Sequence, residues 1–379
     1  MDAGRGHQAK LNHGVSIYLK PIRILVDSFA DAGLPNAQMG NAREIVSRLD
    51  PNCFHVSMFV RGQADDRIAT RPNTRLIRLP ARRQTPRILR EFFWGSHQIL
   101  FYMKSSPAAR WYLSARRKWK DERIAIGTVE SQSDLKNEPS IASEQIRLWE
   151  QTILRCDRLY SNSRSVQASL EREYGLASEI IPTGVDTCFF TPDNQLRRDQ
   201  RLRVLFAGSL RTYKRPHLVV DAAARFPEAD FRIAGEGPLA AELGSRAEAK
   251  GVKNLELLGA LSAEKLRKEY QNADIFLFPS TWEGSPKVIL EAAACGLPVI
   301  ARSSYSPETV LEGVTGYQAW SEENIFAHLE KLIQNTDLRR ELGLNGRCLS
   351  EKYDWGVIAA QWEEAFVQAV SRSELRRAS

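Results

Sequence analysis

The chain has 379 residues, 43% of them apolar and 26% charged, which fits a folded protein of two domains and excludes a disordered or fibrous chain. Its net charge is +7 and the excess sits in the first half, where residues 1–190 hold 28 Lys and Arg against 20 Asp and Glu. Such asymmetry implies an acidic partner for that half, whether phospholipid, a phosphorylated acceptor or nucleic acid.

Cys53, Cys156, Cys188, Cys295 and Cys348 form an odd set without a CxxC pair, so neither a disulfide framework nor a zinc site is indicated. Residues 1–20 read as a polar leader with no apolar h-region, and no uncharged apolar run approaches the roughly 20 residues that span a bilayer. The expected location is the cytoplasm, with peripheral contact at the inner face of the membrane left open.

In chain order, residues 22–27 read as a buried strand and 37–49 as a helix, opening a βαβ alternation. Between Arg75 and Arg123, 13 Lys and Arg stand against three acids and are interleaved with eight aromatic residues, among them Phe93, Trp94, Trp111 and Trp119. On a helix starting at Pro107, Ala108, Trp111, Ala115 and Trp119 share one face, with Arg110, Arg116, Arg117, Lys118 and Lys120 on the rest. This composition suits either an interfacial helix on anionic lipid or an amphipathic domain helix with core aromatics and solvated cations. No nucleic-acid-binding motif accompanies the charge.

Residues 191–201 are polar, Pro-bearing and without periodicity, as expected of a linker between domains at 21–190 and 202–352. A second alternation follows, with strands at 203–207, 231–234, 255–258, 275–279 and 298–301 and helices at 216–225, 263–271 and 286–295. Two Rossmann-like α/β domains, each a parallel sheet covered on both faces, are expected to point their βα loops into a common cleft.

Residues 275–301 read IFLFPSTWEGSPKVILEAAACGLPVIA: strand, polar loop, short helix, strand. Ser285 is the expected N-cap, Pro286 suits the first helical position, and Gly296 with Pro298 supplies the stop. A helix start of this kind offers backbone N–H groups and a positive dipole end to a diphosphate, with Lys287 adding a charge. Glu291 lies five residues beyond Pro286, roughly 7.5 Å along the axis, within reach of a ribose. Glu283 lies on the other side of the phosphate site, where it meets hydroxyls of a transferred sugar. Singly, each residue also reads as an ordinary cap, a solvated acid or a surface ion pair.

Two glutamates eight apart in this setting, followed by AAACGLPVI, resemble the motif of the retaining GT-B glycosyltransferases of family 4. Upstream, LFAGSLRTYKRPHLVVDAA is similar to the family's strand, glycine loop and lysine, which puts Gly208 in the loop and Lys214 at the donor diphosphate. The family's arginine after that glycine is here Ser209, with Arg211 as its substitute. Gly235 and Gly237 resemble the loop near the nucleotide base, and Leu258 a backbone-reading strand end. Gly284, Ser285, Pro286, Lys287 and Val288 complete the expected donor site. Taken alone, GEGP lacks the third glycine of a dinucleotide fingerprint, so no NAD site is read there. Tyr353, Asp354 and Trp355, opening residues 353–379, look like the closing helix that returns to the first domain.

The resemblance implies transfer of a sugar from a nucleotide-sugar donor to a glycan, lipid-linked or small-molecule hydroxyl, with retention. No Asp-x-Asp motif is present, so catalysis without a metal or other cofactor is expected, helix start and Lys214 standing in for the cation. Relatives carry a histidine where this chain has Glu130, which reads as a base, a sugar-hydroxyl ligand or a plain strand-end carboxylate. A glycine pair common after the first strand is replaced by residues 33–38, GLPNAQ. Alternative expectations are a phosphorylase or sugar-phosphate synthase on the same fold, and an inactive sugar-nucleotide-binding or assembly protein.

Overall fold

The computed structural model describes residues 20–32, 37–119, 121–130, 143–193 and 201–378. The leader and most of the linker read from the sequence, and the loop at 33–36, lie outside these residues. The first half alternates β1 (Ile22–Phe29), α1 (Ala37–Arg48), β2 (Phe54–Val60), α2 (Asp66–Ala69), β3 (Thr74–Arg78), α3 (Gln84–Trp94), β4 (Ile99–Phe101), α4 (Pro107–Ala115), β5 (Ile124–Val129), α5 (Ser143–Glu150), β6 (Arg158–Ser161), α6 (Arg164–Tyr174) and β7 (Glu179–Ile180). Its seven strands pair in parallel in the order β3-β2-β1-β4-β5-β6-β7.

The second half continues with β8 (Arg203–Ala207), α7 (His217–Arg225), β9 (Asp230–Ala234), α8 (Ala240–Ala249), β10 (Leu255–Gly259), α9 (Ala263–Asn272), β11 (Ile275–Phe278), α10 (Lys287–Ala294), β12 (Val299–Arg302), β13 (Gly316–Ala319), α11 (Glu322–Gln334), α12 (Thr336–Ser350) and α13 (Trp355–Ala378). Six parallel strands run β10-β9-β8-β11-β12-β13. Both sheets reverse strand order once, between β1 and β4 and between β8 and β11, and ligands of such sheets bind beyond the strand ends at that crevice.

Local chemistry sets the helix starts. Ser106, Ser163, Ser262 and Ser321 each accept from a backbone N–H three residues on, which satisfies donors that a helix start leaves unpaired. Central strands are apolar on both sides because helices cover both faces: all four residues of β11 are buried.

α13 belongs by packing to the first half. Ile358, Trp362, Phe366 and Ala369 recur at the helical period and are buried in the cluster containing Ile24, Val46, Phe54 and Phe101. Trp362 meets Phe101 and Tyr160 at ring-centroid distances of 4.7 and 4.9 Å. At the crossing, Val185 bridges Asp354, and the Thr187 hydroxyl donates to Asp354 at 2.6 Å. Arg347 Nη1 donates to the carbonyls of Thr187, Phe190 and Ala294 at 3.0, 2.9 and 3.0 Å, fastening the end of the first half to the end of α10.

The basic aromatic stretch departs from its expected helix. α4 ends at Ala115 and residues 116–119 form a tighter 3-10 turn, so a single helical phase does not extend from Pro107 to Trp119. The buried residues are Ala108, Ala109, Tyr112 and Leu113, whereas Trp111 and Trp119 are exposed.

Trp362→Ala removes one of the two tryptophans that α13 buries in the first half and should cost about 3–5 kcal/mol of its stability. Chemical denaturation followed by fluorescence should show an earlier transition for this variant, with Trp362→Phe intermediate.

Candidate functional site

Second-half residues of the site gather at the carboxyl ends of β8 and β11, the strands flanking the switch point. A 3-10 turn over Thr212–Lys214 follows β8 and presents Lys214. Its ammonium is ion-paired with Glu283, each side chain being 13% exposed. Ser280 Oγ donates to the same Glu283 oxygen at 2.6 Å. Lys214 Nζ also lies 4.9 Å from the centre of the Phe278 ring, a cation–π contact. The two loops are locked together by Tyr213 stacked on Trp282, 4.4 Å between centroids, and by the Thr281 N–H donating to the Tyr213 carbonyl at 2.8 Å. Lys214, expected at the donor diphosphate, is therefore neutralised by the acid expected to bracket the ligand from the opposite side.

The helix start differs from its sequence reading. Pro286, not Ser285, occupies the cap position, Lys287 is the first helical residue, and no side chain caps the start of α10. Proline offers no side-chain acceptor, and the Pro286 carbonyl accepts from the Ile289 N–H at 3.1 Å. Lys287 and Glu291 follow at i, i+4 on one face. Burial lowers the Lys287 pKa, opposed by the charges of Glu291, Glu130 and Glu44. Burial raises that of Glu291, opposed by Lys287 and by the Tyr270 hydroxyl, which donates to Glu291 Oε2 at 3.1 Å.

Gly235 and Gly237 have a packing role. A Cβ on Gly235 would fall 1.9 Å from the Gly208 carbonyl oxygen, and one on Gly237 2.5 Å from that of Leu210, so the loops after β8 and β9 touch only because both are glycine. The Gly259 carbonyl, next to Leu258, accepts from the Gly235 N–H at 2.8 Å. Ser209 and Val288 are half-buried on the same rim, and Arg211 is exposed and makes no ion pair among the described residues.

Across the cleft, Glu130 directly follows β5. Its carboxylate accepts from the Tyr102 hydroxyl and from Asn41 Nδ2, the latter at 3.2 Å, while Asn162 Nδ2 donates to its carbonyl at 3.1 Å. Burial raises its pKa against these hydrogen bonds and against Lys287. Tyr102 adopts φ 60°, a left-handed conformation that costs a bulky residue about 1–3 kcal/mol. That backbone turns its ring from the end of β4 toward Glu130.

Gly284 brings the halves together. A Cβ there would lie 2.2 Å from the Glu130 carbonyl oxygen and 2.7 Å from Asn162 Oδ1. Glu283, Gly284, Lys287 and Glu130 thus share one junction, with Lys287 Nζ reaching 5.7 Å from the Trp355 ring centre of α13. Sequence reading missed Tyr102, Asn41, Asn162 and Tyr270, for which no local motif exists. It also missed Tyr305, whose buried hydroxyl has no hydrogen-bond partner among the described residues, its pKa raised by burial and by Glu283. No group of three or more His, Cys, Asp and Glu among the described residues is placed to hold a metal ion.

Residues 190–348 match the family model described as glycosyl transferases group 1. A D-inositol 3-phosphate glycosyltransferase of Xylanimonas cellulosilytica is 29% identical over 258 residues, covering 60% of this chain and 60% of the relative. A GDP-mannose-dependent alpha-(1-6)-phosphatidylinositol monomannoside mannosyltransferase of Mycolicibacterium smegmatis is 35% identical over 161 residues, covering 37% and 42%. The matches therefore span only part of these relatives' length. Among solved structures, a sucrose-phosphate synthase of Thermosynechococcus elongatus superposes with TM-score 0.76 at 19% identity, over 93% of this chain and 100% of that one. HepE of Anabaena, solved with UDP and glucose, gives 0.72 at 16% over 92% and 100%.

Glu130→Gln tests the buried carboxyl. A raised folded pKa means that the acid's contribution to stability is present below its unfolded pKa and lost as pH rises through the folded value. The variant should therefore melt a few degrees higher than wild type at neutral pH, and the difference should vanish below the ordinary carboxylate range. A gain independent of pH would contradict the account.

Proposed function

We propose that the chain, which has the GT-B fold and whose residues 190–348 match the glycosyl transferases group 1 model, is a member of that family and transfers a sugar from a nucleotide-sugar donor to an acceptor hydroxyl. One observation carries the reading: the Lys214–Glu283 pair at the β8/β11 switch point, beside a helix start that no side chain caps. The donor diphosphate takes the place of Glu283 at the Lys214 ammonium and faces the positive end of the α10 dipole. Glu283, displaced, receives hydroxyls of the transferred sugar. Glu291 keeps Oε2 on Tyr270 and offers Oε1 to the ribose.

In the reaction the bond from the anomeric carbon to the diphosphate oxygen breaks, a bond to the acceptor oxygen forms, and nucleoside diphosphate leaves. The acceptor proton goes to Glu130 or to the departing phosphate. Burial supports Glu130 as the base, since it moves the carboxyl toward neutral pH, where a general base works best. Retention is the expectation the family resemblance brings, and anomeric NMR of the product reads it directly. Lys214 and the α10 start supply the charge stabilisation that a metal would otherwise give.

The inositol-phosphate and phosphatidylinositol-mannoside names of two relatives, together with the basic first half, favour an acceptor bearing phosphate, free or on a lipid. Peripheral contact of the first half with an anionic membrane is part of the same reading. Among the described residues no helix is long and apolar enough to cross a membrane.

A thermal-shift screen of UDP, GDP, ADP and TDP sugars should find one series that raises the melting midpoint. Lys214→Ala and Glu291→Ala should each weaken that ligand by roughly tenfold or more; unchanged affinity in both would sink the assignment. Turnover should persist in EDTA, and its abolition with rescue by a single divalent metal would contradict metal-independent transfer.

A further inference from the structure

The outer face of α3 and α4 carries an aromatic cluster that the fold does not bury. Trp94, Trp111 and Trp119 are 78%, 54% and 58% exposed. All three pack on Phe93, at centroid distances of 5.7, 5.3 and 4.7 Å. They come from the end of one helix, the middle of the next and the 3-10 turn after it, so folding assembles the cluster from separated positions. Three indoles around one centre make a compact apolar cap, and a monomer rarely leaves such a patch to water without an occupant.

Its border is cationic. Arg90, one turn before Trp94, and Arg110 and Lys118, beside Trp111 and Trp119, are exposed. The only acid in α3, α4 or the turn is Glu91, which is buried and paired with Arg75.

We infer that this surface is where the protein docks on an anionic bilayer, the three tryptophans entering the headgroup boundary and the cations meeting lipid phosphates. The inference rests on the membrane-contact part of the proposed function and is independent of the donor chemistry. Indoles prefer the bilayer interface, where the ring is shielded and its N–H stays wet, and each nearby basic residue adds attraction to an anionic leaflet. A second copy of this chain fits poorly, because a two-fold contact through the patch would set the same cations against each other. Nucleic acid fits poorly as well, since its bases stack on separate ring faces along a groove, and here the rings share one centre.

The test is co-sedimentation of the full chain with phosphatidylcholine vesicles, with and without phosphatidylglycerol, alongside tryptophan emission and sedimentation velocity. The protein should pellet only with the anionic vesicles, with blue-shifted emission, and binding should fall as salt is raised. Trp94→Ala/Trp111→Ala/Trp119→Ala should abolish binding, and Arg90→Glu/Arg110→Glu should weaken it on the order of tenfold or more. Both variants should keep wild-type thermal shifts with the donor, which separates loss of docking from loss of the fold or of the transferase reading. The proposal is overturned if wild type stays in the supernatant, or if the triple variant binds vesicles like wild type. It is equally overturned if the variant's only change is the loss of a dimer, or if single-stranded nucleic acid binds the patch while vesicles do not.

Discussion

At the carboxyl ends of β8 and β11 a lysine and a glutamate from different loops are held against each other in a partly dry crevice. Neither stays there cheaply alone, because a charge drawn out of water needs a partner or a ligand. Lys214 has Glu283, Ser280 adds a hydrogen bond to the same oxygen, and the Tyr213–Trp282 stack keeps the two loops at that spacing. In the proposed transfer a ligand diphosphate replaces one negative partner with another, so the lysine never passes through an unpaired state and Glu283 is released toward the sugar hydroxyls.

The first half is coupled to this pair through backbone rather than through charge alone. Gly284, next to Glu283, has room for no side chain because the Glu130 carbonyl and Asn162 occupy the space. Lys287 then extends from the start of α10 toward Trp355, and its charge acts on Glu130. α13, Arg347 and the Val185–Asp354 bridge hold the two halves in this relation. The candidate donor residues and the candidate base therefore meet at one junction, which is what the proposed transfer between a bound donor and an acceptor requires.

Much of the fold was legible because buried parallel strands leave continuous apolar runs and helix ends leave caps, and Ile275–Phe278 and the serine-capped helices are of this kind. Lys214, Glu283 and Glu291 were legible as candidates through their motif. Their mutual relations were not: nothing local says that Lys214 closes on Glu283, 69 positions away, or that Tyr270 holds Glu291. The α10 start was misplaced by one residue, since Ser285 looks like a cap but its side chain makes no capping bond. The α4 stretch departs in its backbone, which changes from α-helix to 3-10 turn after Ala115, yet Trp111 and Trp119 still meet on Phe93. Tyr102 could not be anticipated, because its left-handed backbone is imposed by the tertiary setting of Glu130 and not by its own residue type.

The claim on which the account stands is that Glu283 competes with the donor diphosphate for Lys214. Calorimetric titration of the nucleoside diphosphate identified by the donor screen, into wild type and Glu283→Gln, measures that competition. The account predicts tighter diphosphate binding by Glu283→Gln together with lower turnover of the intact donor, since the ammonium is freed while the sugar loses its carboxylate. Diphosphate affinity that is unchanged or weaker in Glu283→Gln would contradict it.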